Sequence, residues 1–223
     1  MSKITDGALA LLFPQRLCCH GCGCMLAPGE ELLCAPCRKQ LDACTLKRKD
    51  EERLFRAEQV LAAAAYRYTG MAADLTQSLK YMSDRTVAHL LAEGMARRFA
   101  LMDSLRAAEV CVAVPSFKRQ AERRGYPQAQ VLCDAFTRIT GLPQASGALK
   151  RVRYAKSQVG MGREERKKRI VSAFAFGEAQ AVEDRCVLLI DDVLTTGATV
   201  CECARMLYAA GARRVLAITA CRA

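Results

Sequence analysis

One segment constrains this chain more than any other: Val187-Leu188-Leu189-Ile190-Asp191-Asp192-Val193-Leu194-Thr195-Thr196-Gly197-Ala198-Thr199. An apolar strand runs into two adjacent carboxylates and then a small, hydroxyl-rich turn. The next residues repeat apolar side chains at Val200, Cys203 and Leu207, which is helical spacing, with Gly211 as terminator. The pattern predicts a helix from about Thr199 to Ala210. A helix start leaves backbone N–H groups without intrahelical partners, here those of residues 195 to 199, and the helix dipole adds positive potential there. Such an end attracts phosphate. Open α/β sheets bind ligands at the carboxyl ends of their strands, where Asp191 and Asp192 fall, and carboxylates there accept from sugar hydroxyls or hold Mg²⁺ through water. The two halves match the two ends of a ribose 5-phosphate. An ordinary strand, turn and capped helix would account for the same pattern with less chemistry, but no glycine-rich dinucleotide or Walker pattern competes with it.

The same thirteen positions resemble the phosphoribosyl pyrophosphate (PRPP) signature of type I phosphoribosyltransferases: four apolar residues, an acidic pair, then Thr-Thr-Gly-x-Thr. The resemblance implies Asp191 and Asp192 as catalytic carboxylates. It also implies Thr195, Thr196, Gly197, Ala198 and Thr199 as the PRPP-binding loop.

The chain has 223 residues, 52% hydrophobic and 26% charged, enough for one main globular domain and a small accessory one. No run reaches membrane-spanning length. The apolar patch from Ala8 to Phe13 has only Lys3 before it, Asp6 close by and no small-residue cleavage site. These features give the expectation of a cytoplasmic protein without membrane insertion.

The 13 cysteines divide sharply. Cys111, Cys133, Cys186, Cys201, Cys203 and Cys221 are scattered along apolar segments and read as small reduced core residues. The other seven lie within the first 44 positions and mark a separate module, placed at 1–45. There Cys19-His20-Gly21-Cys22 and Cys34-Ala35-Pro36-Cys37 form two C-x2-C pairs separated by eleven residues. Two such turns can close a tetrahedral S4 shell, so structural zinc on Cys19, Cys22, Cys34 and Cys37 is the expectation; Cys18, Cys24, Cys44 and His20 are possible substitute ligands. Four thiolates leave no open position for catalysis by the metal.

Thr45 to Arg56 is charged and reads as a solvated linker or short helix before a main domain at 57–223. Val60 to Tyr68 reads as a strand, Met71 to Met82 and Asp84 to Ser104 as helices, and Val110 to Val114 as a buried strand. Arg123 to Thr140 reads as largely helical, Ala173 to Phe176 as a strand, and Val215 to Ala220 as the strand that closes the sheet. Alternating strands and helices predict an α/β fold, a parallel sheet with helices on both faces.

The net charge of +11 is uneven. From Lys118 to Arg169 there are fourteen Lys and Arg against four acids, a concentration that suits a polyanion. A solvated basic face is the plain alternative. The cations fall in two places. The first is Val114-Pro115-Ser116-Phe117-Lys118-Arg119 with Arg123-Arg124-Gly125-Tyr126, where Ser116, Lys118 and Arg119 can clamp pyrophosphate. The second runs from Arg151 and Arg153 through Gln158 to Arg166, polar and long enough to act as a lid.

In their order along the chain these motifs resemble the ComF competence-protein family, including its GntX-type members, an N-terminal zinc knuckle fused to a type I phosphoribosyltransferase-like domain. The motifs are the two cysteine pairs, Leu79-Lys80-Tyr81, Val114-Pro115, Arg124-Gly125-Tyr126-x-Gln128-Ala129, Arg151-x-Arg153 leading to Gln158, Arg166 leading to Phe174, and the PRPP loop. Pro127 and Arg169 depart from it, since the family usually has Asn at both. The resemblance implies zinc and Mg²⁺, a PRPP-like ligand, and transfer of ribose 5-phosphate with loss of pyrophosphate to an acceptor that no residue identifies. Ser116, Lys118, Arg119, Arg151 and Arg153 would face the pyrophosphate. It also implies an association with DNA uptake or with DNA used as nutrient, and with competence proteins as partners. Two other readings remain beside the enzyme. One is a single-stranded DNA-binding factor using the basic arc, with Tyr126 or Tyr154 stacking on bases. The other is a PRPP-sensing regulator without turnover. No histidine is an evident general base, since His20 lies in the cysteine module and His89 falls in a helix.

Overall fold

In the computed structural model, residues 18–47, 52–55, 58–81, 85–115, 126–151, 174–176 and 179–223 are described. In chain order they form α1 (Ala35–Ala43), β1 (Glu52–Phe55), β2 (Val60–Arg67), α2 (Gly70–Tyr81), α3 (Arg85–Leu101), α4 (Asp103–Arg106) and β3 (Val110–Ala113). Then come α5 (Gln128–Thr140), β4 (Leu149–Arg151), β5 (Phe174–Phe176), β6 (Cys186–Leu194), α6 (Ala198–Ala209) and β7 (Arg214–Arg222).

Five of the strands make one sheet in the order β1-β2-β7-β6-β3. The pairs β2 with β7, β7 with β6 and β6 with β3 are parallel, and only the edge strand β1 runs antiparallel, against β2. Strands covered on both faces read as continuous apolar runs, and Cys186 to Ile190 and Val215 to Cys221 are buried without a break. β7 therefore lies at the centre of the sheet and does not close it.

Alternation along the strands sorts the core into two layers. Leu188, Ile190, Leu216, Ile218 and Ala63 face α2, α3 and α5, packing with Leu75, Leu79, Leu90, Leu91, Met95, Leu132 and Phe136. Val187, Leu189, Val215, Ala217, Val60 and Ala62 face α6 through Val200, Cys203, Ala204 and Leu207. A one-residue slip of any central strand would exchange these faces, so the register is strongly fixed. Phe99 of α3 meets Phe136 of α5 edge to face, with ring centroids 5.6 Å apart.

Several boundaries differ from the sequence expectation. The charged run Thr45 to Arg56, expected as a linker or short helix, contains β1. Thr45 bridges Tyr66 and Glu52–Phe55 pairs with Val60–Ala63, so β2 gains partners along an edge that would otherwise stay open. The helix expected from Asp84 to Ser104 breaks at Met102, which is extended at φ −118° and ψ 105°. α5 starts at Gln128, because Pro127 in an extended conformation precedes it; Arg123 to Gly125 of the expected helix lie outside the described residues. Phe174–Phe176 is a strand, but it pairs with Leu149–Arg151 in a separate two-stranded ribbon.

The cysteine segment packs onto the main core. Cys19, Leu33, Cys34, Cys37, Leu41 and Cys44 join the same apolar cluster as Tyr66, Met71 and Leu75. Backbone bonds from Leu46 N–H to Ala65 O (3.1 Å) and from Arg67 N–H to Cys44 O (2.8 Å) tie it to β2. Arg38 of α1 and Arg97 of α3 both approach Glu93, at 3.6 and 4.0 Å. Arg97 also donates to the hydroxyl of the buried Tyr66 at 3.1 Å.

Candidate functional site

The acidic pair, Asp191 and Asp192, occupies the sixth and seventh of the nine positions of β6. Asp191 is in register with Thr219 of β7, and both acids are half-buried where the central strands approach their carboxyl ends. Each carboxylate is oriented by the backbone just after it. Asp191 Oδ1 accepts from Asp192 N–H at 2.9 Å, and Asp192 Oδ1 accepts from Val193 N–H at 2.8 Å.

Three residues past β6 the chain turns at Gly197, the N-cap of α6, with a φ of +83°. The carbonyl of Gly197 accepts from Cys201 N–H at 2.8 Å, opening the helix. The Thr196 hydroxyl accepts from Ala198 N–H at 3.3 Å, a long contact. Thr195, Thr196 and Ala198 are exposed, Thr199 is half-buried and Gly197 is buried. What buries Gly197 is Phe55 of β1. A Cβ built on Gly197 would lie 2.1 Å from Cζ of that ring, so a glycine is required there for both the positive φ and the close approach. No feature of the sequence pointed to Phe55, which lies inside the charged run Thr45 to Arg56.

The pyrophosphate-facing residues divide differently. Ser116, Lys118, Arg119 and Arg153 lie outside the described residues, and Arg151 ends β4 with only its backbone described. Tyr126, expected as a surface stacking residue, is partly buried and packs against the core; Tyr154 lies outside the described residues. His89 lies on α3, exposed, 3.6 Å from Glu93, with no place beside the acidic pair. An open groove of about 530 Å³ between α3 and α5, lined by Arg97, Phe99, Arg106 and Ile139 among others, includes none of the expected site residues.

The four cysteines of the two C-x2-C pairs converge. The sulfurs of Cys19, Cys22, Cys34 and Cys37 all lie within 4.8 Å of one another. A tetrahedral Zn–S length of about 2.3 Å sets sulfurs roughly 3.8 Å apart, and Cys22 and Cys34 stand at 3.7 Å. Cys19 Sγ accepts from the N–H of Gly21 and of Cys34, each at 3.3 Å. Burial alone would raise the Cys19 thiol, but amides from Cys34, Cys22 and Gly21 outweigh it and lower its pKa to about 6. Burial, with the neighbouring thiols, pushes Cys37 up. A thiolate held by amides is the form a metal takes, so the group fits a metal ion such as zinc. α1 supports it: Pro36 opens the helix, and Glu30 accepts from Ala27 N–H at 2.8 Å and from Ala35 N–H at 2.6 Å. Among the substitute ligands, Cys44 is turned away, donating to the carbonyls of Gln40 and Thr69 at 3.3 and 3.2 Å. Cys24 touches the group, its sulfur 3.3 Å from that of Cys22.

No family model matches the chain. Competence protein F of Haemophilus influenzae is 30% identical over 146 residues, 63% of this chain and 63% of that protein. The DNA utilization protein YhgH of Salmonella typhimurium is 31% identical over 161 residues, 70% of this chain and 69% of that protein. The chain belongs to the ComF family. It spans about half the length of further YhgH relatives it matches. Among solved structures, the glutamine PRPP amidotransferase from B. subtilis complexed with ADP and GMP aligns with a TM-score of 0.45 at 21% identity, over 64% of this chain and 30% of that one. In this ComF-family chain a parallel β2-β7-β6-β3 sheet with helices on both faces follows an N-terminal cysteine group. Among the described residues, no helix is long and apolar enough to cross a membrane.

Proposed function

We propose that this ComF-family protein binds PRPP or a close relative and transfers its ribose 5-phosphate to an acceptor, in a cytoplasmic role linked to DNA uptake or DNA use and to competence proteins. One observation carries this reading: Asp191 and Asp192 lie near the carboxyl end of a central parallel strand that leads through Thr195, Thr196, Gly197, Ala198 and Thr199 into the start of α6. The loop amides and helix dipole would hold the 5-phosphate, displacing the long Thr196 contact to Ala198 N–H. Asp191 and Asp192 would accept from the ribose hydroxyls and hold Mg²⁺ through water. When bound, that ion supplies neutralising charge for pyrophosphate. The bond from ribose C1 to the pyrophosphate oxygen breaks, a bond from C1 to the acceptor forms, and the acceptor proton passes to a carboxylate or to solvent. Fixed carboxylates beside C1 stabilise the positive charge that develops there. Ser116, Lys118, Arg119, Arg151 and Arg153 would meet the leaving group.

The zinc on Cys19, Cys22, Cys34 and Cys37 has a structural role in this reading, within a module at 1–45 ahead of a transferase-like domain at 57–223. The names of two relatives, competence protein F and DNA utilization protein, support the DNA context. The excess of cations from Lys118 to Arg169 favours one second reading, binding of single-stranded DNA through its phosphates.

Calorimetry of PRPP with Mg²⁺ on zinc-loaded protein tests the first reading. Micromolar binding that Asp191→Asn/Asp192→Asn abolishes is the expected result. If neither protein binds PRPP while both retain single-stranded DNA with steep salt dependence, the second reading replaces the first.

A further inference from the structure

The cysteine group holds one thiol more than a tetrahedral ion needs. Cys19, Cys34 and Cys37 are buried, whereas Cys22 and Cys24 are both exposed and stand side by side on the solvent side of the group. Residues two apart in an extended chain share a face but stand about 6.6 Å apart. Here Gly23, at φ +74°, tightens the chain between them and brings the two sulfurs to 3.3 Å. Backbone bonds fix that turn: Gly23 N–H donates to Cys19 O at 2.8 Å, and Cys19 N–H donates to Cys24 O at 2.7 Å. The Cys18–Met25 bridge closes the loop behind it.

Resting on the metal reading above, we propose that Cys22 and Cys24 share the fourth ligand position: three buried thiolates hold the ion, and either exposed thiol completes the shell. At 3.3 Å the two sulfurs are closer than the roughly 3.8 Å edge of a ZnS4 tetrahedron, so they alternate in one position and do not occupy two. Cys22 fills the position in the present arrangement, 3.7 Å from Cys34. Cys24 reaches it by rotation about its side chain and a small movement of the Gly23 turn. The metal then always has one exposed thiol as a ligand and a second beside it ready to exchange, so metal transfer to an outside thiol or chelator proceeds at this face.

Zinc content and Co²⁺ absorption of the full chain test this with Cys22→Ser, Cys24→Ser, the double variant and Cys19→Ser. Each single variant at the shared position is expected to keep one metal per chain and the thiolate-to-cobalt band of four sulfurs. The double variant is expected to bind zinc at least 100-fold more weakly, and Cys19→Ser to lose it. Loss of the four-sulfur band in Cys22→Ser, or a double variant no weaker than Cys22→Ser, overturns the proposal. Limited alkylation of zinc-loaded wild-type protein gives an answer that needs no variant to fold. Peptides carrying a label on Cys22 or on Cys24, but not on both while zinc is retained, are expected; labelling of Cys24 alone overturns the proposal. If wild-type protein takes up no zinc or cobalt, the metal reading itself fails, an outcome distinct from loss in Cys22→Ser alone.

Discussion

The cysteine group and the Thr195–Thr199 loop acquire their geometry by opposite routes. Cys19 and Cys34 are fifteen residues apart and are joined by amide-to-sulfur bonds and by whatever ion the four thiols hold, with little regular structure besides α1. Asp191, Asp192 and the loop are local in sequence, and a central strand paired on both sides, one helix and the Phe55 ring hold them. The first site is thus sensitive to its ligand and the second to its packing. Because the cysteine group shares its apolar cluster with α2 and α3, loss of an ion held there would reach the main core.

Metal removal should separate the two regions most. Chelation, or Cys34→Ser, removes a ligand that binds only the folded state and is expected to lower Tm on the order of 10 °C, whereas Asp191→Asn/Asp192→Asn should move it far less. Calorimetric scans with and without chelator check this; equal melting with and without metal would break the distinction. Next in size is Gly197→Ala, which forces a side chain into the left-handed region and against Phe55. It should cost about 1–3 kcal/mol in denaturant unfolding and weaken PRPP, while leaving zinc content at the wild-type level. A smaller effect is expected of Phe55→Leu. Loss of part of the ring contact, about 1 kcal/mol, should weaken PRPP by less than about tenfold with unchanged zinc. Unchanged affinity would show that β1 does not help to hold the loop.

The smallest effect belongs to Glu30. Hydrogen bonds from Ala27 and Ala35 hold its carboxyl below the usual carboxylate range. A lowered value means that the contribution is complete above the ordinary pKa and is lost as pH falls through the folded one. Carboxyl NMR should therefore place the Glu30 midpoint below that of a free glutamate, and an ordinary midpoint would remove this cap from the account.

The sequence made some of this legible because its signals are local or strictly spaced. Val187 to Ile190 followed by Asp191 and Asp192 is a short apolar run that reads as a buried strand under either reading of its chemistry, and two C-x2-C pairs have few uses. β1 was hidden because its pairing with β2 is a tertiary fact: Glu52 and Arg53 give no strand alternation, and only the open edge beside Val60–Ala63 recruits them. The position of β7 is equally nonlocal, since strand order depends on crossovers that composition does not encode. Cys24 looked like a spare because the αL turn at Gly23, and not the spacing, places it beside Cys22. The basic segment is the opposite case, with charge plain in the sequence and Ser116, Lys118, Arg119 and Arg153 outside the described residues.

Amide NMR of zinc-loaded, ¹⁵N-labelled protein during addition of PRPP with Mg²⁺ reads the phosphate loop and the acidic pair residue by residue. The account predicts that the largest shifts fall on the N–H groups of Thr195, Thr196, Gly197, Ala198 and Thr199 and on Asp191 and Asp192, and that they vanish in Asp191→Asn/Asp192→Asn. Saturable shifts elsewhere that leave residues 191–199 unmoved, or no shifts at millimolar PRPP, would contradict it.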